Sequence, residues 1–178
     1  MNYVRGGPPA CEQAATAGLR CLYGQGTWRS LTRLDRPAVL ELSLPNGERF
    51  QLTLTGVTPT LAGILHVGDA EFRASPAEIG TYWSGEYLAL WRPPAGIEPP
   101  LLPGTRSAAV AWLRAQLDTV LEPQPSVSEP DFYDSGLANR VRAFQESEAL
   151  RVDGIAGEET LLRLKHRLRA PDVPFLSA

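Results

Sequence analysis

Two cysteines and two histidines are the residues of this chain best suited to nucleophilic or metal chemistry. A cysteine nucleophile needs a neighbouring base that deprotonates its thiol. In the leading half the candidates are Cys11, at the start of a short helix, and His66, and nothing in their spacing links them. The cysteines and histidines are too scattered for a zinc pattern, and no glycine-rich phosphate loop occurs. We therefore expect no catalytic residue, no metal and no cofactor, with His66 in a strand and His166 on an exposed helix end.

Cys11 and Cys21 are instead placed to meet each other. A helix over 11–17 advances about 9 Å, and a strand from Gly18 to Cys21 returns about 10 Å. In an oxidising compartment we expect a disulfide between them. The alternative is two reduced, buried thiols.

Length and composition are those of an ordinary globular protein. The 178 residues are 43% hydrophobic and 21% charged, which is enough for two small domains with separate cores. No run of about 18 apolar residues occurs, and the first residues lack the apolar core of a signal peptide. We expect any targeting or membrane segment to lie outside this chain. The net charge of −3 argues against a polyanionic partner such as nucleic acid.

The trailing half has the pattern of a small helical domain. Apolar residues recur at helical spacing over 110–120 and again over 137–144. The segment 153–157 then breaks the period with two glycines, which can adopt positive φ, and a third helix follows. Basic residues interleaved with leucines at 163–169 are interpreted as the solvated end of that helix.

This half resembles the three-helix peptidoglycan-binding domain found in many cell-wall proteins. The resemblance rests on spaced positions, namely Gly104, Val110, Leu113, Gln116, Leu117, Tyr133, Asp134, Val141, Phe144, Gln145, residues 153–157, Thr160 and Leu161. The chain departs from that pattern at 122–131, EPQPSVSEPD, which is longer and richer in proline than the usual connection there.

The resemblance implies a shallow peptidoglycan groove between residues 132–133 and the loop 153–157. The residues expected to bind are Tyr133, by stacking on a sugar or stem-peptide face, and Asp134, Arg140 and Asp153, by pairing with amine and carboxylate groups. A structural alternative is open for the two aspartates: Asp134 caps the following helix, and Asp153 shapes its loop.

The leading half has the pattern of an antiparallel sheet with short helices. Alternating apolar residues predict a hairpin across 40–44 and 50–54. A three-residue loop at 45–47 sets Leu42 opposite Phe50 and Leu40 opposite Leu52, whereas a two-residue loop would put the two apolar rows on opposite faces. Further strands are predicted at 63–67, 71–74 and 87–91.

Parts of this half resemble the latter part of a C39-type, papain-like cysteine peptidase domain: residues 10–19, 31–40, 47–57, 67–69, 83–85 and 88–91. Active members of that family have a cysteine at the start of an earlier helix, a histidine on the strand after the hairpin, and an aspartate. Asp69 falls near the aspartate position, but Arg49 and Phe50 occupy the histidine position. The nucleophile helix would precede Met1. The resemblance therefore implies an inactive, C39-like half.

The order of the modules resembles the periplasmic region of the general secretion pathway A family (GspA, also called ExeA). We expect an α+β fold with four parts: an incomplete papain-like (C39-like) domain with an antiparallel sheet at 1–92, a proline-rich linker at 93–100, an all-α three-helix peptidoglycan-binding domain at 101–170 and a tail at 171–178.

The resemblance implies a non-catalytic periplasmic module that supports assembly of the type II secretion secretin through the cell wall. The implied partners are peptidoglycan, a GspB-like inner-membrane protein, the secretin indirectly, and a second copy of the chain. The ATPase and membrane segments of the family lie outside this chain. Two alternatives are open: a cysteine-dependent cell-wall hydrolase or peptidase, and a protein-assembly module that has lost peptidoglycan binding.

Overall fold

The computed structural model of the chain describes residues 10–170 and 173–176. They form two compact units, and each is described by itself. The first unit contains 10–92 and 174–176, and the second contains 93–170 and 173. None of the helices in these described ranges has the length and apolar composition that a membrane span requires.

The first unit is a six-stranded antiparallel sheet with three short helices. In chain order its elements are α1 (Ala10–Thr16), β1 (Arg20–Gln25), α2 (Trp28–Leu34), β2 (Ala38–Ser43), β3 (Arg49–Val57), β4 (Gly63–Val67), β5 (Ala70–Ala74), α3 (Pro76–Gly80) and β6 (Trp83–Trp91). The strands lie in the order β1-β6-β2-β3-β4-β5, so β1 and β5 are the two edges. Every neighbouring pair is antiparallel, which confirms the predicted sheet.

The hairpin between β2 and β3 has the predicted register. Leu42 lies opposite Phe50, and Leu40 lies opposite Leu52. Gly47 has φ 85°, the left-handed conformation that suits glycine at the end of a three-residue loop. The alternation of apolar residues therefore places both leucine rows on one face of the sheet.

That face of the sheet holds the core of the first unit. Leu40 and Leu54 have no exposed surface. Trp28 of α2 and Ile79 of α3 pack over Gly63 of β4, where an added Cβ atom would meet both side chains. The short helices therefore cover the apolar face, and the opposite face carries the polar and half-exposed side chains of the same strands.

Residues 174–176 return to the first unit. The amide N–H of Leu176 donates to Asp35 Oδ1 at 2.9 Å, and the amide N–H of Val57 donates to the carbonyl oxygen of Leu176 at 3.1 Å. The Leu176 side chain is buried. Part of the segment expected to be a tail is therefore bonded to the loop after α2 and to the end of β3.

The second unit is a three-helix domain. Its helices are α4 (Ala108–Val120), α5 (Ser135–Ser147) and α6 (Glu158–Arg167). The side chains of Ser107 and Asp134 cap α4 and α5 by accepting backbone N–H bonds from the first turn. All three helices contribute to the buried apolar core, which includes Leu113, Leu117, Leu137, Val141, Phe144, Leu161 and Leu164. The predicted helical domain, and with it the α+β class of the chain, is confirmed.

Residues 93–100 contain neither helix nor strand, as their proline content predicts. Ile97 in this segment is buried, as is Leu101 directly after it. Leu101 forms an isolated antiparallel bridge with Ala156. The segment expected to be a linker lies within the second unit.

The prediction of a solvated basic end for α6 is wrong in part. Arg163 is 4% exposed and Lys165 is 8% exposed, whereas Arg167 is exposed. Arg163 Nε lies 3.6 Å from a carboxylate oxygen of Glu148, so its buried charge is paired. Residues 160–165 are all buried, because this part of α6 is enclosed on more than one side.

We predict that Gly85→Ala destabilises the first unit by about 2 kcal/mol or more. Gly85 has φ 100°, and an added Cβ atom would overlap the carbonyl oxygen of Gly26. The measurement is urea unfolding followed by tryptophan fluorescence, since Trp28, Trp83 and Trp91 all lie in this unit.

The matched control is Gly80→Ala, at the end of α3, where an added Cβ atom would meet nothing within 4 Å. Its stability should change by no more than about 1 kcal/mol. Equal unfolding midpoints for the two variants would contradict the prediction.

Candidate functional site

The loop 153–157 of the second unit is built around the side chain of Gln145, which is 2% exposed. Its carboxamide oxygen accepts the backbone N–H groups of Asp153 at 3.1 Å and Gly154 at 2.9 Å. Its amide nitrogen lies 2.9 Å from the carbonyl oxygen of Ile155 and 3.1 Å from Thr160 Oγ1. One buried side chain from α5 therefore fixes the loop and connects it to the first turn of α6.

Asp153 belongs to the same network. Its Oδ1 accepts the backbone N–H of Ile155 at 2.9 Å and the Gln145 amide at 3.0 Å. The bond from Ile155 is the largest influence that holds the pKa of Asp153 below its usual range, against a smaller opposing effect of burial. Asp153 therefore shapes the loop as an ionised carboxylate, as the structural alternative proposed.

The stacking role predicted for Tyr133 does not fit its position. The ring is 1% exposed, and the phenolic O–H donates to the carbonyl oxygen of Gly154 at 2.8 Å. Burial raises the pKa of Tyr133 well above its usual range, so the hydroxyl acts as a donor. The two sides of the predicted groove are thus bonded to each other at this point. Tyrosine is a residue type that often contacts ligands, but the Tyr133 side chain is part of the core.

The side chains of Asp134 and Arg140 also form their bonds with other groups of the second unit. Asp134 caps α5 by accepting the N–H of Leu137 at 2.7 Å, and its other oxygen lies 3.2 Å from an Arg114 nitrogen. Arg140 bonds to Asp118 Oδ1. Burial is the largest single influence on Asp118 and opposes its ionisation. The bonds from Arg140 and from the Gln124 N–H, together with the charges of Arg140 and Arg114, outweigh it and lower the pKa of that carboxyl.

The proline-rich connection 122–131 is attached to the rest of the unit by Arg106. Its guanidinium nitrogens lie 2.6 Å from a Glu129 oxygen and 2.7 Å from an Asp131 oxygen. The same guanidinium lies 5.3 Å from the centre of the Phe132 ring. The charged groups of Arg106, Glu129 and Asp131 are therefore paired with each other.

The groups that do face solvent beside the loop form what we call the loop surface: Asn139, Arg142, Arg151, Val152 and Asp153. A Cβ atom on Gly154 would lie 3.0 Å from the Arg142 guanidinium carbon, so that guanidinium lies against the loop backbone. Arg142 also donates to Asn139 Oδ1 at 2.8 Å. Arg151 Nε lies 3.7 Å from Asp153 Oδ2, and its side chain is 89% exposed.

The loop surface is therefore cationic and partly apolar, since Val152 is 50% exposed. Asp153 is among the residues predicted from the sequence, whereas Arg142 and Arg151 are not. A signal for Arg142 was available: it follows Val141 directly and so leaves the apolar face of α5, which puts its charge on the solvent side.

In the first unit, Cys11 and Cys21 form a disulfide with a Cα–Cα distance of 5.8 Å. Neither residue therefore carries a thiol. His66 lies on β4 with its Nε2 3.8 Å from a Glu71 oxygen, and Asp69 lies in the following turn. Among the residues that the structure describes, no group of three or more His, Cys, Asp or Glu could hold a metal ion.

Comparison with known proteins agrees with this architecture. A family model described as a peptidoglycan binding domain matches residues 106–164, which contain α4, α5 and most of α6. The chain is 34% identical over 154 residues to the general secretion pathway protein A of Aeromonas hydrophila, covering 86% of this chain and 28% of that protein.

A solved structure is similar to nearly the whole chain. It is the crystal structure of a periplasmic domain of the EpsAB fusion protein of the Vibrio vulnificus type II secretion system. The identity is 30%, the TM-score is 0.54, and the match covers 88% of this chain and 68% of that chain. The chain belongs to the general secretion pathway protein A family. It spans little more than a quarter, 28%, of the length of the Aeromonas relative.

We predict that Gln145→Ala in this chain releases the loop 153–157 and destabilises the second unit by about 2–3 kcal/mol. The substitution removes the partners of buried backbone groups at 153–155. Hydrogen exchange should show faster exchange of the Asp153 and Gly154 amides, and thermal unfolding followed by circular dichroism should show a lower midpoint.

The control is Glu146→Ala, the next residue on α5, which is exposed. Its stability should stay within about 0.5 kcal/mol of the parent, with unchanged exchange at the loop. Full protection of the Asp153 and Gly154 amides in Gln145→Ala would contradict the role given to the carboxamide.

Proposed function

We propose that the chain is a non-catalytic periplasmic module that binds peptidoglycan through its second unit. The observation that carries this proposal is the match of the peptidoglycan binding domain family to residues 106–164, which coincide with the three-helix unit. The family membership of the chain supports a place in type II secretion. Periplasmic localisation is proposed because the Vibrio vulnificus relative is described as a periplasmic domain.

The loop surface is the part of the second unit that we assign to peptidoglycan. Stem peptides carry free carboxylates, and guanidinium groups are strong partners for carboxylates because they can donate two parallel N–H bonds. The Arg142 guanidinium lies against the loop backbone at Gly154, the Arg151 guanidinium lies beside Asp153, and both side chains are exposed. The buried Gln145 network holds that backbone in place, so the arginines are presented on a rigid support.

Two features support a binding role over catalysis. The cysteine-dependent hydrolase needs a thiolate, and both cysteines are used in the disulfide. The histidine position of the resembled peptidase is occupied by Arg49 and Phe50. The C39-like half is therefore proposed as a docking unit for a partner protein.

The edge strand β5 is the docking surface we assign to that partner, a GspB-like inner-membrane protein. β5 pairs only with β4 in the sheet of the described residues, so its outer backbone groups are open to another strand. Phe72 on β5 is 40% exposed, and Val67 on the neighbouring strand β4 is 48% exposed. Through this contact the module would support assembly of the secretin across the wall.

We predict that the double variant Arg142→Ala/Arg151→Ala weakens binding to purified sacculi at least about tenfold, because the carboxylates of the stem peptides lose two guanidinium partners. The measurement is co-sedimentation of the full chain with sacculi at several protein concentrations. Circular dichroism should show an unchanged fold, since both side chains are exposed.

The control is Arg29→Ala/Arg73→Ala, which removes the same charge from exposed positions of the first unit. It should sediment like the parent. Parent protein that stays in the supernatant would refute peptidoglycan binding and favour the pure assembly module. Equal loss in both double variants would show a general charge effect instead of a site.

We predict that Phe72→Glu reduces co-purification with the GspB-like partner by about tenfold or more, because a charge then enters an apolar contact. Binding to sacculi should not change. The control is Arg73→Glu, the neighbouring exposed residue on the opposite face of β5. Full partner binding by Phe72→Glu would exclude this edge.

A further inference from the structure

A second candidate site lies on the sheet of the first unit. Side chains of β1, β6, β2 and β3 that point away from the core line a pocket of about 650 Å³. That volume lies inside the range of about 300–1,000 Å³ that is usual for small-molecule sites. We call it the sheet-face pocket; nothing in the proposed function uses it.

The floor of the sheet-face pocket is apolar and continuous across three strands. Tyr23 lies opposite Leu88, and Leu88 lies opposite Val39, so the three side chains form one row. Tyr23 is 73% exposed, the largest exposure of any large apolar side chain in the described ranges. Its hydroxyl lies 3.1 Å from Cys11 Sγ, and the disulfide of Cys11 fastens α1 to β1 beside it.

The walls of the pocket are planar polar groups. Gln25 lies opposite Glu86, and Glu41 lies opposite Gln51. The side chains of Gln25, Gln51 and Glu86 have no hydrogen-bond partner within the described part of the chain. They are therefore available to a ligand, and the amides can both donate and accept.

Charge restricts the class of ligand. Arg49 is paired with Glu41 at 2.8 Å, which leaves Glu86 as the remaining charged group of the lining. Among the described residues that line the pocket, a phosphate or other anion would meet a carboxylate and no free cation, so anionic ligands are disfavoured. A neutral ligand rich in hydroxyl and amide groups suits the walls.

An exposed aromatic ring surrounded by amides and carboxylates suits a sugar. The C–H faces of a pyranose ring are apolar and pack on an aromatic ring, while its hydroxyl and acetamide groups pair with Gln, Glu and Arg side chains. We infer that the sheet-face pocket binds the N-acetylated amino-sugar chain of peptidoglycan, by stacking on Tyr23 and by hydrogen bonds to Gln25, Gln51 and Glu86. The identity of this glycan rests on the proposed function, whereas the pocket is separate from the loop surface.

The test is a titration of the full, ¹⁵N-labelled chain with chitotetraose, a tetramer of β-1,4-linked N-acetylglucosamine, followed by NMR. Amide shifts are expected at 23–25, 39–41, 49–51 and 86–88. Tyr23→Ala should bind at least about tenfold more weakly, the equivalent of losing one stacked ring. Tyr23→Phe keeps the ring without the hydroxyl and should bind within about threefold of the parent, which separates stacking from the contact to Cys11.

The matched control is Tyr82→Ala, since Tyr82 is another exposed tyrosine, at 39%, outside the lining of the pocket. It should bind chitotetraose like the parent. Shifts confined to 93–170, parental affinity in Tyr23→Ala, or pocket shifts caused by a synthetic stem peptide and not by chitotetraose would each overturn the inference.

Sedimentation with sacculi separates this inference from the proposed function. Parent protein that binds sacculi but shows no pocket shifts with chitotetraose refutes the sheet-face pocket alone. Pocket shifts in a protein whose sedimentation is insensitive to Arg142→Ala/Arg151→Ala support the pocket and refute the loop surface.

Discussion

The carboxamide of Gln145 is buried among backbone groups of a neighbouring loop, and both of its atoms are used. Its oxygen accepts two N–H groups and its nitrogen lies against a carbonyl and a hydroxyl. An amide can meet both kinds of partner where a purely apolar residue would leave them unsatisfied. The loop, α5 and α6 are therefore held as one body. The phenol of Tyr133 adds a further bond to Gly154, so the solvent-facing arginines rest on a support whose polar groups are satisfied from within.

Much of the first unit could be predicted because its signals are local. Alternation sets the face of each strand, and glycine at position 47 with proline at 45 selects the loop that keeps Leu42 opposite Phe50. The disulfide predicted from segment lengths is present in the structure. The site proposed for peptidoglycan could not be predicted in the same way. Tyr133 and Arg140 have the chemistry of ligand-binding residues, but that chemistry also satisfies a buried core, and burial depends on which helices meet.

The same ambiguity explains the basic end of α6. Leucines at helical spacing with basic residues between them predict one apolar and one solvated face when a helix lies on a surface. Here residues 160–165 are enclosed, and Arg163 is paired with Glu148. Periodicity identified the helix correctly, and its surroundings, which come from distant parts of the chain, decided which charges are hidden.

The chain leaves the first unit at Arg92 and rejoins it at 174–176. The rejoining segment is not loose: its backbone is bonded to Asp35 and Val57, and Leu176 is buried. In the sequence, the helical unit is therefore an insertion, with residues of the first unit on both sides of it. If the second unit binds the cell wall as proposed, a load on that unit reaches the first unit by two routes, through β6 and through residues 174–176. Cleavage of one peptide bond in the 93–100 segment would therefore leave the chain of the second unit still covalently joined to residues 174–176.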